Sequence, residues 1–401
     1  MITLYRCIIC IIFTTLAFCQ TLDINTLEKL VIEQNPQLLV SAKQIQVQEG
    51  SLAQSRKLPN PVLEMESGSG ADPETSGMIS QTILLGGKRK HKIRLSELDL
   101  LKAHLEYEKL KQEKLTVAFQ SFTNILHLQE VKSIQTDKIS VAEVLLKSVS
   151  KKVEAGKLSP AEKSRAKIQH FQEQMKLREI DKSLEIAWIS ISSLWGDGKP
   201  RFNLAVGHFL NTPTMSSSNS LDKSPAIQLA ELSVVIRRIN IKSEKAEVMP
   251  DLDLDAGIKR SDIPGNTYQI GFSLPIPIFN RNQGKIKSAG FELERAELKL
   301  KATKTELTSL VKNIQTELAL LYSETETLKD EIIPEAQTAY TIISDGYLNG
   351  RFTYLDVVDA QKMWFQSREQ YMNALKDYHA NLFELDRITG NSNHTNFKEK
   401  N

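Results

Sequence analysis

A chain of 401 residues with 51 Lys and Arg against 49 Asp and Glu, a net charge of +2, has no overall basic footprint for nucleic acid. At 41% hydrophobic and 25% charged residues it is not a disordered chain, and 18 Gly and 13 Pro leave long stretches free of helix breakers. The three cysteines, Cys7, Cys10 and Cys19, all fall in the first twenty residues, which excludes a disulfide framework, a zinc finger or a Cys nucleophile in the body of the chain.

In chain order, Arg6 is the only charge before Asp23, and the run Cys7 to Phe18 is dominated by apolar residues. This pattern predicts a signal peptide over residues 1–19, too short to span a membrane, and an exported mature protein. Small residues at Ala17 and Cys19 fit cleavage before Gln20; read instead as a degenerate lipobox, the same stretch makes Cys19 a lipidation site. Pro36 to Leu58 then predicts a helix. A β-hairpin follows within 60–86: Leu63 and Met65 alternate with Val62, Glu64 and Glu66, and Met78, Ser80 and Thr82 alternate with Ile79, Gln81 and Ile83. From Lys88 to Ala155 there are 68 residues without Gly or Pro, a helix on the order of 100 Å long. The apolar positions Val141, Val144, Leu145, Val149 and Val153 keep to one face of it. A further helix is predicted over Ala161 to Trp195, then a Ser-, Pro- and Asn-rich linker over 197–224.

The pattern then recurs. A helix over Ala226 to Met249 precedes a second hairpin within 250–279, where Leu252, Leu254, Ala256 and Ile258 alternate with acids and Gly, as do Tyr268, Ile270, Phe272 and Leu274 with Gln269, Gly271 and Ser273. Phe291 to Ile333 is helical, with a kink expected at Pro334, and Arg351 to Thr389 is the last helix before a polar tail at 391–401. The landmarks Asn35-Pro36, Pro59, Gly156 and Gly196 recur at Ser224-Pro225, Pro250, Gly350 and Gly390, at offsets of 189 to 194. Residues 22–196 and 225–390 are therefore read as two structural repeats. Each carries a helix–turn–helix tip: Gly156, Ser159 and Glu162 in the first, Gly350, Thr353 and Asp356 in the second. The Gly ends one helix in the left-handed region, the hydroxyl caps the next, and the acid completes a capping box. The fold class is mainly α with a small β part. The strands approach the length of a membrane-spanning β-strand and show its apolar/polar alternation.

These motifs resemble the TolC-like outer-membrane efflux ducts. Gly346-Tyr347-Leu348-Asn349-Gly350 through Tyr354-Leu355-Asp356-Val357-Val358-Asp359-Ala360-Gln361 looks like that family's second tip. Leu58-Pro59-Asn60-Pro61 and Gln81 through Leu85-Gly86-Gly87-Lys88-Arg89 look like the ends of its first barrel hairpin. Met249-Pro250-Asp251-Leu252 and Pro275-Ile276-Pro277-Ile278-Phe279-Asn280-Arg281 look like those of the second. The resemblance covers about residues 22–390. It implies a homotrimer whose four strands per chain close a twelve-stranded outer-membrane barrel on a helical periplasmic cylinder. It also implies partners: a periplasmic adaptor meeting the tips, an inner-membrane pump of the proton-driven RND type, and outer-membrane lipid. The Gly-Gly-Lys-Arg segment and the compact length are closest in look to the heavy-metal cation branch.

Candidate sites follow from both readings. Asp251, Asp253 and Asp255 do not form a calcium loop, since position six is Ala256 and position twelve is Asp262. With Glu64 and Glu66 they read either as lumen acids favouring cations or as a wetted strand face. Asp356 doubles as a capping acid; by resemblance, acids near this tip ring the periplasmic entrance, and Asp359 is the candidate gate residue. The seven histidines show no ligand spacing, Gly86-Gly87-Lys88 lacks the rest of a phosphate loop, and no catalytic motif is present. No cofactor, metal or enzyme activity is expected. A transport duct is the leading reading, with a periplasmic coiled-coil adaptor or structural protein as the alternative.

Overall fold

A computed structural model describes residues 21–68, 74–212, 220–261 and 265–391; the signal segment, Cys19 and all but the first residue of the polar tail lie outside them. A short strand β1 (Thr21–Leu22) leads into α1 (Ile24–Gln34) and α2 (Pro36–Ser55), then β2 (Val62–Gly68) and β3 (Glu74–Ile83). Next come α3 (Lys88–Glu154), α4 (Pro160–Ser193) and a second short strand β4 (Leu204–Ala205). The order then repeats with α5 (Pro225–Ala246), β5 (Leu252–Ser261), β6 (Gly265–Ser273), α6 (Gln283–Thr327), α7 (Ile333–Leu348) and α8 (Tyr354–Thr389).

Local chemistry sets the helix ends. Asp23 caps α1 through bonds from the Asn25 and Thr26 N–H groups. Asn35 caps α2, accepting from Gln37 and Leu38 at 3.0 and 3.1 Å, with Pro36 at the first helical position. The same Asn35 donates its amide to the Leu194 carbonyl at 2.6 Å, so α2 is stacked end to end on α4. The 67-residue α3 lies beside this stack and packs on α2, α4, α5 and α8. Between α6 and α7 the break lies upstream of Pro334, in a π-helical turn over Leu328–Ile332. That wider turn admits one extra residue and relieves the proline ring of the carbonyl behind it.

The main core sits midway along α3. Phe119, Phe122 and Ile125 of α3, Leu27 of α1, Ile191 of α4 and Phe365 and Leu375 of α8 are fully enclosed there. The segment after α4 straps this core. Ala205 exchanges two hydrogen bonds with the Gln129 amide, each 2.9 Å, and β4 pairs in parallel with β1. Phe209 inserts between the rings of His127 and His379. At one end of the helices the strands form a single antiparallel sheet in the order β2-β3-β5-β6. No helix among the described residues is long and apolar enough to cross a membrane.

Candidate functional site

The sheet separates two surfaces by register alone. Leu63, Ile79, Ala256 and Ile270 stand abreast on one face, followed by Met65, Gly77, Ile258 and Tyr268. This face is apolar and uncovered, with Ile270 92% and Tyr268 78% exposed. On the other face Glu64 is level with Met78, Gly257 and Gln269, and Glu66 with Ser76, Lys259 and Thr267. Asp253 and Asp255 share it; Asp253 accepts a hydrogen bond from Thr82 at 2.6 Å. The register thus brings four of the five sequence-selected acids to one face, with Lys259 among them. Asp251 stands apart: it precedes β5, and its carboxylate accepts from Lys88 Nζ at 2.8 Å and from the Leu85 N–H at 3.3 Å. It ties the foot of β3 to the foot of β5.

At the other end are the two tips. Gly156 has φ 71° and Gly350 φ 76°, values open to Gly without strain. In each turn the residue after Gly bonds back into the last helical turn: Lys157 N–H to Lys152 O at 2.8 Å, Arg351 N–H to Gly346 O at 2.7 Å. The caps differ. Thr353 and Asp356 form the full reciprocal box, and these bonds hold the Asp356 carboxyl below its ordinary range. Ser159 accepts only from the Ala161 N–H, and Glu162 turns away to Arg165 at 3.2 Å. Asp359 lies exposed one turn into α8 from Asp356.

The tips are joined by residues that sequence reasoning passed over. Lys152 donates to the Tyr347 carbonyl at 2.7 Å and lies 3.6 Å from the centre of the Tyr347 ring. Tyr354 donates to the Gln169 side chain at 3.0 Å. Leu145, Val149, Ala166, Tyr347, Tyr354 and Val357 form a small core beneath. Between the tips opens a cleft of about 680 Å³ lined by Lys152, Glu162, Tyr347, Phe352 and Thr353. The Tyr347 hydroxyl and one Glu162 carboxylate oxygen are shielded there without a hydrogen-bond partner among the described residues. Burial first, then the Glu162 charge, pushes the Tyr347 and Tyr354 hydroxyls up. The available signal was a Lys one turn before Gly156 and an aromatic two residues past each end of the Tyr347–Phe352 turn; neither says that the two partners meet.

No cluster of three or more His, Cys, Asp or Glu suited to a metal occurs among the described residues. The arrangement is a two-ended body: a segregated sheet at one end, paired helical turns at the other.

A family-wide sequence profile described as "Outer membrane efflux protein" matches residues 27–197 and 217–391. The cobalt-zinc-cadmium resistance protein CzcC of Cupriavidus metallidurans is 29% identical over 363 residues, covering 89% of this chain and 87% of that protein. Among solved structures, the outer membrane protein VceC of Vibrio cholerae aligns with a TM-score of 0.78 at 16% identity, over 92% of this chain and 96% of its own. The CmeC outer membrane channel of Campylobacter jejuni aligns with a TM-score of 0.77 at 14% identity, over 94% and 87%.

Proposed function

This chain belongs to the outer membrane efflux protein family, and on that premise we propose a trimeric duct whose sheet ends in the outer membrane and whose tips dock a periplasmic adaptor. The protein is an outer-membrane efflux channel, the exit duct of a tripartite system. Proteins of this family form trimeric channels that work with an adaptor and an inner-membrane pump, and they are channels rather than enzymes. The observation that carries the finer reading is the sheet: four strands with one uncovered apolar face and one polar face, open at both edges. Three such sheets closed edge to edge make a twelve-stranded barrel with lipid outside and Glu64, Glu66, Asp253 and Asp255 toward the lumen. In this reading Gly156, Ser159, Glu162, Gly350, Thr353 and Asp356 shape the adaptor contact, and Asp359, repeated threefold, is the gate acid. Residues 1–19 serve as the export signal, with Cys19 either lipidated or removed.

The cargo follows from likeness to CzcC: heavy-metal cations supplied by an RND-type pump, with the lumen acids favouring cations. Two measurements test this. Membrane fractionation followed by sizing in detergent should give an outer-membrane species of three chains; a soluble monomer would sink the duct. Deletion of the gene should lower tolerance to cobalt, zinc and cadmium, restored on re-expression; unchanged tolerance would remove the metal cargo and leave the channel. For the gate, Asp359→Ala should raise single-channel conductance and weaken cation block in planar bilayers, and identical traces would remove Asp359 from the gate.

A further inference from the structure

One motif is accounted for by neither the tips nor the sheet faces: the stretch Leu274-Pro275-Ile276-Pro277-Ile278-Phe279 between β6 and α6. Its side chains point out of the molecule, with Phe279 91%, Ile276 77% and Ile278 60% exposed. Yet its end is firmly built. Asn282 is the only non-glycine residue with positive φ among the described residues, at 56°. Its amide donates to the Glu244 carbonyl at 2.8 Å and carboxylate at 2.7 Å, and its N–H donates to Asn280 Oδ1 at 3.0 Å. The Arg281 N–H donates to Gln283 Oε1 at 2.8 Å. A left-handed backbone held by this many bonds fixes an apolar edge that nothing in the chain covers.

The chain carries its own template for the cover. The same junction in the first repeat, Leu84 to Gly87 between β3 and α3, is closed by the start of the second repeat. A Cβ on Gly86 would lie 2.8 Å from Met249 Cβ and 2.9 Å from the Ala246 carbonyl, and Lys88 reaches Asp251. Beside this closure β3 pairs with β5. In the second repeat β6 pairs with β5 and ends the sheet, as β2 does on the other side. Aligning the repeats on Pro59 and Pro250 through their hairpin registers puts Phe279 at the position of Gly86 and Leu58 at that of Met249. Arg281 and Asn60 take the positions of Lys88 and Asp251. No third repeat follows β6, so the first repeat that meets this junction is that of another copy.

We propose that Leu274–Phe279 is an inter-copy clasp, seating Phe279 with Ile276 and Ile278 on Leu58-Pro59-Asn60-Pro61 of a second copy of this chain. Leu58 is itself 67% exposed, so the contact covers apolar surface on both sides. A Phe replaces the Gly of the internal junction because the two repeats within one chain are already tethered, whereas separate copies are held only by what they bury. The clasp rests on the trimeric reading above, and the test separates the two. The full chain carrying Phe279→p-benzoyl-phenylalanine is co-expressed with a differently tagged copy, extracted in detergent, sized and irradiated. The expected result is a species of three chains with crosslinks from position 279 to residues 56–63 of the other copy. A trimer whose crosslinks run to detergent, to lipid or within the same copy overturns the clasp alone. A monomer overturns the trimer and the clasp together. Phe279→Ser should lower the temperature at which the trimer dissociates by several degrees and Phe279→Leu by much less; equal temperatures for all three overturn the clasp.

Discussion

Gly390 ends α8 at φ 75°, and a Cβ built there would lie 2.2 Å from the Lys223 carbonyl oxygen just before α5. Backbone against backbone has nowhere to yield. Gly390→Ala should therefore destabilise the protein by more than the ~1 kcal/mol of an unfavourable φ, seen as a lowered thermal midpoint. The buried polar groups of the strapped core add a pH dependence. Burial pushes the Asp386 carboxyl up to about 6 and the His379 imidazole down to about 4. For Asp386 the folded protein holds the more protons between about pH 4 and 6, so its contribution falls as pH rises through that window and stays low above it. For His379 the unfolded chain holds the more protons between about pH 4 and 6.5, so its contribution falls as pH drops. Asp386→Asn removes the first dependence only. Relative to wild type it should gain up to ~3 kcal/mol near pH 7 and lose that gain toward pH 4, read from paired thermal midpoints.

At the scale of elements, the two tips show one motif with two degrees of completion. Thr353 and Asp356 satisfy each other's groups, whereas Glu162 is drawn to Arg165 and leaves Ser159 with a single bond. Thr353→Ala should cost ~1 kcal/mol and fray the first turn of α8, and Ser159→Ala distinctly less; hydrogen exchange of the amides at 354–357 and 160–163 measures both. The helices and strands themselves were readable because their signals are local: breakers, caps and periods of 3.6 or 2 lie within a few residues of one another. The partners of those elements were not. Lys88 meets Asp251 across 163 positions, and Lys152 meets Tyr347 across 195. No local pattern marks a Lys for a carboxylate that remote, so Asp251 looked like one more member of an alternating acidic row. Pro334 was legible as a breaker, but the extra residue upstream that accommodates it was not.

For the whole molecule, the body is organised by its two ends. The apolar sheet face stays uncovered in the single chain, and Ile270 is its most exposed member. Ile270→Asp would place a charge in hydrocarbon if that face meets lipid, at a cost of up to a few kcal/mol per chain, repeated in every copy. Its recovery in the outer-membrane fraction should fall sharply, while Glu64→Gln on the opposite face should leave it unchanged. Equal recovery of both would mean that the two faces do not divide lipid from water. The duplication was legible from landmark spacing alone. The sheet order β2-β3-β5-β6 and the strap through Phe209 needed the coordinates, because both depend on which repeat lies next to which.

The π turn at Leu328–Ile332 also sets an angle. Each residue advances a helix by about 100°, so one surplus residue fixes the rotational phase of everything beyond it. Deleting a single residue there would regularise the helix and swing α7 by that angle about its own axis. Tyr347 would then face away from Lys152, and the second tip would present a different side chain to the first. The meeting of the two tips is thus a matter of timing along the helix, set by one residue placed some 25 Å before them.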